Sequence, residues 1–271
     1  METNNILHFS DSRFENLIFM TVNINGHDVT AMFDTGAGMS FITKGMAEKL
    51  GGKTEKAPLK AGNNQGVVRS FDTVRFDSVR VGNMTVPVQM MGVLPDEALT
   101  QMEDSKHNRF PAAMLLGKDI ISLFCWSFDM EARYVTVSPG GTMPKKGNMR
   151  WDAFPEFSIA HDGKAYTVGF DSGHTESFLD NSWLKILDHL SDAKTVVHGI
   201  GSSIDEHIKI ADSFSFTIDK TAVTLKNIEI ADHRIYGAEN SGICALLGAD
   251  ILEGTCWTCD FKSGCFEIGR L

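Results

Sequence analysis

The sequence predicts a mainly β protein made of two similar lobes that are related by a pseudo-two-fold axis. Three observations lead to this prediction. Phe is frequent, with 18 among 271 residues, and Val and Ile are common; such residues favour strands. Each half contains a strong hairpin signal between apolar segments, Asn25-Gly26 in the first and Asp162-Gly163 in the second. The third observation is an internal repeat.

The repeat covers most of the chain in two registers. The first register has an offset of 137, from Asp34 to Asp171, and the second has an offset of 131, from Gly117 to Gly248. The second half is therefore about six residues shorter between these landmarks. The aligned segments are 25–36 with 162–173, 40–42 with 177–179, and 114–121 with 245–252.

Within each half the same elements are predicted in the same order. A hairpin leads into an Asp-Thr/Ser-Gly turn, a short strand, a helix and a Gly-rich stretch. Alternating strands follow, and an apolar strand ending in Leu-Leu-Gly leads into a short helix that Asp119 or Asp250 caps or starts. The predicted helices are 44–50 and 182–190, and the predicted strands are 74–81, 86–91, 214–218 and 223–230.

These elements predict a lobe over residues 1–138, a linker over 139–150 and a second lobe over 151–271. Pro, Gly and Lys dominate the linker, and apolar periodicity vanishes there. The polar segment 94–109 has no counterpart in the second half and is predicted to be a surface insertion.

Composition excludes several classes of function. The net charge is −10 and there is no basic stripe, which argues against nucleic acid or an anionic membrane as partner. No signal peptide or transmembrane segment is visible, so we expect a cytoplasmic protein whose five cysteines are mostly reduced. A zinc site at Cys256, Cys259 and Cys265 lacks an evident fourth ligand, so core packing is the favoured reading and no metal or cofactor is expected.

The candidate chemistry lies at Asp34 and Asp171, which each end an apolar strand and precede a tight turn. A residue near a pseudo-two-fold axis meets its own copy. Two adjacent carboxyls share one proton, so one can take a proton from water while the other polarises a carbonyl. The pattern therefore indicates peptide-bond hydrolysis by an activated water.

These residues resemble the pepsin- and retropepsin-like aspartic proteases. The resemblance rests on Asp34-Thr35-Gly36-Ala37 and Asp171-Ser172-Gly173, with Leu-Leu-Gly elements ending at Gly117 and Gly248. It implies a bilobal aspartic-protease (acid protease) fold with two β-barrel-like lobes and short helices. It also implies that Thr35 and Ser172 cross-link the two active-site loops, that Gly36 and Gly173 let backbone N–H groups approach the carboxylates, and that Gly117 and Gly248 lie beneath the loops.

The details resemble a retropepsin dimer fused into one chain, which we expect to be a monomer that binds a peptide or protein substrate. Ala37 follows the first motif, as in retropepsins, whereas His174 follows the second. The missing hydroxyl at Ala37 predicts activity at weakly acidic to neutral pH. His174 either influences the dyad or points to a subsite or solvent. The candidate substrate-binding flaps are Gly62, Asn63, Asn64 and Gly66, and Gly199, Ile200 and Gly201.

Two functions from different classes stay open at this point. The first is an aspartic endopeptidase that uses the Asp34/Asp171 dyad without a cofactor. The second is a non-catalytic module that binds peptides or proteins in the same cleft.

Overall fold

The computed structural model describes residues 5–10, 14–62, 68–87, 90–104, 106–144, 147–152, 154–199, 202–231 and 242–270. The fold is mainly β with a few short helices and fits an aspartic-protease fold, which confirms the predicted class. The strands of the first half are β1 (Asn5–His8), β2 (Phe19–Ile24), β3 (His27–Phe33), β4 (Phe41–Thr43), β5 (Lys53–Gly62), β6 (Val68–Arg75), β7 (Val79–Val81), β8 (Met84–Thr85), β9 (Met90–Leu94), β10 (Met114–Leu116), β11 (Phe124–Asp129) and β12 (Tyr134–Pro139).

The second half is also built from strands. These are β13 (Met149–Trp151), β14 (Pro155–His161), β15 (Lys164–Phe170), β16 (Phe178–Leu179), β17 (Leu190–Gly199), β18 (Ser202–Ile218), β19 (Thr221–Ile230), β20 (Ala245–Leu247), β21 (Thr255–Asp260) and β22 (Cys265–Arg270). The helices are α1 (Lys44–Lys49), α2 (Glu97–Thr100) and α3 (Lys118–Ile121), with 3₁₀ turns at Asn181–Lys185 and Ala249–Leu252.

Both predicted hairpins form. Asn25 and Gly26 have φ values of 50° and 84°, and Asp162 and Gly163 have 47° and 74°. Positive φ at both central residues suits the turn type that matches the twist of the flanking strands. The turns join β2 to β3 and β14 to β15, with β3 and β15 leading into the two Asp residues.

Each half inserts one short apolar strand between the strands on either side of its Asp. In the first half, β10 pairs in parallel with β3 and antiparallel with β4. In the second half, β20 pairs in the same way with β15 and β16. All three residues of β10 and of β20 are buried, as expected of a strand covered on both faces.

A five-stranded sheet joins the halves in the order β1-β12-β11-β21-β22. The join is the antiparallel pairing of β11 with β21, where Phe128 lies opposite Trp257. Their rings stack with centroids 4.0 Å apart, and the rings of Phe33 and Phe170 lie 6.1 Å and 5.7 Å from the same Trp257. The residues immediately before the two Asp residues therefore share one aromatic core.

Three sequence-based assignments are wrong or incomplete. The predicted helix 182–190 is only a 3₁₀ turn, because Trp183 is buried and its indole N–H donates to Cys244 O at 2.9 Å, and β17 already begins at Leu190. The predicted strand 74–81 is split, since β6 ends at Arg75 and β7 begins at Val79. Of the predicted strand 86–91, only Met90 and Met91 lie in a described strand.

The segment 94–109 is not simply a surface insertion. It contains α2, and both Leu94 and Leu99 are buried. They pack in a second apolar cluster, which is separate from the main core and includes Phe110. Because polar residues separate these apolar positions, the sequence showed no period that would predict their burial.

The segment predicted as a linker is bound to the last hairpin of the second half by Asp260. This carboxylate is fully buried and accepts hydrogen bonds from the N–H groups of Gly141, Met143 and Ser263 and from the Ser263 hydroxyl. Burial alone would raise the pKa of Asp260, but these donors outweigh it and the pKa is lowered.

We expect Asp260→Asn to destabilise the protein at neutral pH by about 1.5–3 kcal/mol. The amide NH2 group of Asn would replace one acceptor oxygen of the carboxylate, so that a buried backbone N–H would face another donor. A carboxyl with a lowered pKa stabilises above its unfolded-state pKa, and that stability is lost as pH falls through its folded-state pKa. The variant should therefore lose less stability on acidification than the wild type, in urea unfolding followed by tryptophan fluorescence.

The matched control for this prediction is Asp129→Asn. Asp129 occupies the equivalent place in the first half, but the backbone hydrogen bond that its carboxylate accepts, from Ala132 N–H at 2.8 Å, is exposed. A loss of stability as large as that of Asp260→Asn would contradict the proposed importance of the buried contacts.

Candidate active site

Equivalent backbone hydrogen bonds position the two Asp residues. Asp34 follows β3, and its N–H donates to Leu116 O at 3.0 Å; Asp171 follows β15, and its N–H donates to Leu247 O at 2.9 Å. Each Asp is thus held beside the end of the inserted apolar strand of its own half. Both then begin a tight turn that faces the other half.

The two turns are cross-linked by four hydrogen bonds, which we call the Thr35–Ser172 interlock. The Thr35 hydroxyl donates to Phe170 O at 3.1 Å and accepts from the N–H of Ser172 at 2.9 Å. In return, the Ser172 hydroxyl donates to Phe33 O at 2.8 Å and accepts from the N–H of Thr35 at 3.1 Å. Both residues are fully buried, so every donor and acceptor in the interlock depends on its partner.

The interlock brings the carboxyl of each Asp against the glycine of the other loop. A Cβ atom on Gly36 would lie 2.3 Å from Asp171 Oδ2, and one on Gly173 would lie 2.5 Å from Asp34 Oδ1. Only glycine allows this approach, because real Cβ contacts do not occur below about 3.0 Å. The two carboxyls are themselves close enough to share a hydrogen bond.

The surroundings of the two carboxyls differ. Burial raises the pKa of Asp34 well above its ordinary value, and the charge of Asp171 raises it further. Burial also raises the pKa of Asp171 above its ordinary value, although the charge of His174 and the Gly173 N–H offset part of this rise. The Oδ1 atom of Asp34 accepts from the N–H groups of Gly36 and Ala37, both at 3.0 Å, whereas that of Asp171 accepts from Gly173 N–H at 2.8 Å.

Ala37 and His174 occupy equivalent places but make different contacts. His174 is partly exposed, and its Nδ1 lies 2.6 Å from Glu176 O. Since a carbonyl oxygen only accepts, Nδ1 carries the hydrogen of this bond. The imidazole also packs against the Phe178 ring at 5.7 Å. His174 thus lines the cleft beside Asp171 rather than pointing away from it.

Gly117 and Gly248 lie directly against the backbone of the active-site loops. A Cβ atom on Gly117 would be 2.3 Å from Met39 O, and one on Gly248 would be 2.7 Å from Glu176 O. Their N–H groups donate to the hydroxyls of Ser40 and Ser177 at 3.0 Å and 2.9 Å.

Sequence reasoning missed the function of these two serines. The Ser40 hydroxyl and N–H both donate to Asp119 Oδ1, at 2.7 Å and 2.8 Å, and Ser177 makes the matching pair of bonds to Asp250. Neither Asp is the cap residue of its helix, because Gly117 and Gly248 hold that place; Asp119 and Asp250 instead lie in the first turn, as the other form of the prediction had it. Asp119 also ties α3 to the active-site loop. The repeat carried the signal, since both members of each pair recur in it.

A cleft of about 1330 Å³ runs past both Asp residues. Its described lining includes Asp34, Gly36, Ala37, Asp171, Gly173 and His174, together with residues of the hairpin β5–β6 such as Gly62. Of the other flap candidates, Gly199 ends β17 at the tip of the hairpin β17–β18. Asn63, Asn64, Gly66, Ile200 and Gly201 lie outside the described residues.

The described part of the chain holds no group of three side chains suited to a metal ion. None of the five cysteines forms a disulfide bond, and Cys125, Cys259 and Cys265 are buried. Across the same described ranges, no helix has the length and apolar character needed to cross a membrane.

We expect Thr35→Val to destabilise the protein by about 2–4 kcal/mol, because it leaves the Ser172 N–H without an acceptor and Phe170 O without a donor. Thr35→Ser retains the hydroxyl and should lose much less. Denaturant unfolding of the two variants would measure the difference, and equal stabilities would show that the interlock hydroxyl contributes little.

Residues 20–122 match the family model described as gag-polyprotein putative aspartyl protease. The matched range includes the Asp34 loop, the β5–β6 hairpin and Gly117, and it does not extend into the second half. No curated protein matches the chain. The match supports aspartyl-protease function in general terms. Residues 20–122 are thus similar to the retropepsin-like aspartyl proteases, as the sequence resemblance predicted.

Proposed function

We propose that the protein is an aspartic endopeptidase in which Asp34 and Asp171 activate one water molecule. The Thr35–Ser172 interlock is the observation that carries this proposal, because it cross-links the two active-site loops and so holds the two carboxyls side by side. Two carboxyls so placed titrate as a pair that shares one proton over a range of pH. That is the state which acid–base hydrolysis of an amide requires.

In the proposed reaction the pair first adds water to the peptide carbonyl. The ionised carboxyl takes a proton from water while the water oxygen bonds to the carbonyl carbon, and the protonated carboxyl gives its proton to the carbonyl oxygen. The two carboxyls then exchange roles. The carboxyl that took the water proton gives it to the amide nitrogen as the C–N bond breaks, and the other carboxyl takes a proton from a hydroxyl of the intermediate. The dyad ends with one proton, as it began.

The contacts around the dyad favour Asp171 as the ionised member. Burial raises the pKa of both carboxyls, but the positive charge of His174 offsets part of this rise for Asp171, whereas the charge of Asp171 adds to it for Asp34. The substrate in this proposal is an extended peptide that lies in the cleft and adds to strand edges. The hairpins β5–β6 and β17–β18 act as flaps over it, no cofactor takes part, and the fused halves work as a monomer.

The direct test of the proposed function is cleavage of a peptide library by the wild type, Asp34→Asn and Asp171→Asn. We expect wild-type cleavage that pepstatin inhibits and a loss of at least about 10³-fold in either variant, because neither single carboxyl can supply both proton transfers. Unfolding curves would verify that the variants stay folded. A folded wild type that cleaves nothing between pH 3 and 8 would favour the alternative, a non-catalytic peptide-binding module.

Substitution of His174 should shift the acid limb of the pH–rate profile to higher pH. Activity requires one ionised carboxyl, so the acid limb of kcat/KM follows the lower apparent pKa of the pair. Since protonated His174 lowers the pKa of Asp171, His174→Ala should move this limb to higher pH. His174→Asn is the matched variant, because its amide can still donate to Glu176 O but carries no charge.

The wild-type profile should peak at weakly acidic to neutral pH. The two His174 variants should shift by similar amounts if the charge is responsible. An acid limb that does not move, or that moves to lower pH, would contradict the assigned role of His174, as would a shift seen with alanine alone.

A further inference from the structure

The imidazole of His174 has one nitrogen that its own loop does not use. Nδ1 lies 2.6 Å from Glu176 O and carries the hydrogen of that bond. Nε2 makes no hydrogen bond with any residue that the structure describes. The two ring nitrogens point in different directions, so the contact of Nδ1 with the loop leaves Nε2 facing away from Glu176 O. Since His174 lines the cleft, Nε2 is the atom that a bound ligand can reach.

Further contacts hold the His174 ring in this position. The backbone N–H of His174 donates to Asp171 O at 3.1 Å, and its carbonyl oxygen accepts from Ala249 N–H at 2.8 Å. The Phe178 ring packs against the imidazole with centroids 5.7 Å apart. The backbone and the side chain of His174 are therefore both fixed before a substrate binds, and a fixed ring loses little conformational entropy on binding.

The active-site loop itself does not need this imidazole. Ala37 occupies the equivalent place in the first half, where the side chain is only a methyl group. Its backbone N–H donates to Asp34 O at 3.3 Å and its carbonyl oxygen accepts from Lys118 N–H at 2.9 Å, which are the same two backbone bonds that His174 makes. A methyl group thus suffices for the turn, so the polar ring of His174 points to a function in the cleft.

The charges around His174 limit which ligand group can pair with Nε2. Three carboxyls, those of Asp171, Glu176 and Asp250, are close enough to interact with the charge of the ring. Nε2 donates when the ring is protonated and accepts when it is neutral. A carboxylate ligand would pair only with the protonated ring, and the three carboxyls would repel it. An ammonium group would pair only with the neutral ring. A hydroxyl or an amide both donates and accepts, so it fits either state.

We infer that His174 is a specificity-determining residue, whose Nε2 forms a hydrogen bond with a hydroxyl or amide side chain of the substrate. The favoured residue, which is Ser, Thr, Asn or Gln, lies near the scissile bond, because His174 lies beside Asp171 in the cleft. This inference rests on the proposed function, since it names the substrate of the same cleft. A Thr peptide should exceed a Val peptide of the same shape about tenfold in kcat/KM, because the Val methyl group leaves Nε2 without a partner.

The test uses two variants that separate the hydrogen bond of Nε2 from the charge of the ring. His174→Asn places an amide where Nδ1 lies and nothing where Nε2 lies. The side chain of His174→Gln is one carbon longer, so its amide reaches the place of Nε2. Neither side chain carries a charge, so both variants should shift the acid limb alike. Thr and Val are exchanged at each position near the scissile bond of a cleaved peptide, and the Thr/Val ratio of kcat/KM is measured at one pH.

We expect the wild type to favour Thr about tenfold at one position, His174→Asn to bring that ratio to about one, and His174→Gln to retain most of it. A purely structural role of His174 would change both peptides equally and leave the ratio unaltered. No Thr preference in the wild type, or a ratio that both variants lose or both keep, overturns the inference while leaving the peptidase intact. If the wild type cleaves nothing, the proposed function fails, and calorimetric binding of the two peptides decides: tighter Thr binding that only His174→Asn loses supports the inference, and equal or absent binding overturns it.

Discussion

The geometry of the site depends on the Thr35–Ser172 interlock. Its hydroxyls reach across the boundary between the halves to the carbonyls of Phe33 and Phe170. The rings of those two residues rest on Trp257, in the sheet that joins the halves. The same two backbone segments are therefore fixed twice, by the hydrogen bonds to their carbonyl groups and by the packing of their side chains in the shared core. Movement of either half would break buried bonds that no water could replace.

This rigidity is needed because the interlock holds together groups that repel each other. Burial and mutual charge both raise the pKa of Asp34, so the folded state bears the cost of keeping two carboxyls together. Loop N–H groups offset part of that cost, and the serine–aspartate pairs at Ser40 and Ser177 support each loop from behind. Bonds outside the dyad therefore add to the hydrogen bond that the two carboxyls can share.

The parts of the fold that the sequence predicts well are those with local chemistry or a repeated pattern. The turns at Asn25 and Asp162 follow from residues that adopt positive φ, and the pairing of Asp34 with Asp171 follows from the repeat. The predictions failed where tertiary contacts decide. Residues 182–190 have helical apolar spacing, yet burial of Trp183 and the long β17–β18 pairing override it. Leu94, Leu99 and Phe110 are too widely spaced to show any period, so their shared cluster is visible only in three dimensions.

The likeness between the halves is strongest in backbone contacts and weakest at the cleft. Both halves place an inserted strand, a glycine and a serine–aspartate pair in equivalent positions, whereas Ala37 corresponds to His174 and Met32 to Gly169 in the repeat. A symmetric dimer cannot differ in this way, because every substitution appears on both sides. In a single chain, one side can become apolar while the other carries charge. A peptide has a direction, so a cleft with unlike walls can bind it in one orientation and reject the reverse, without any change in the symmetric framework that holds the carboxyls.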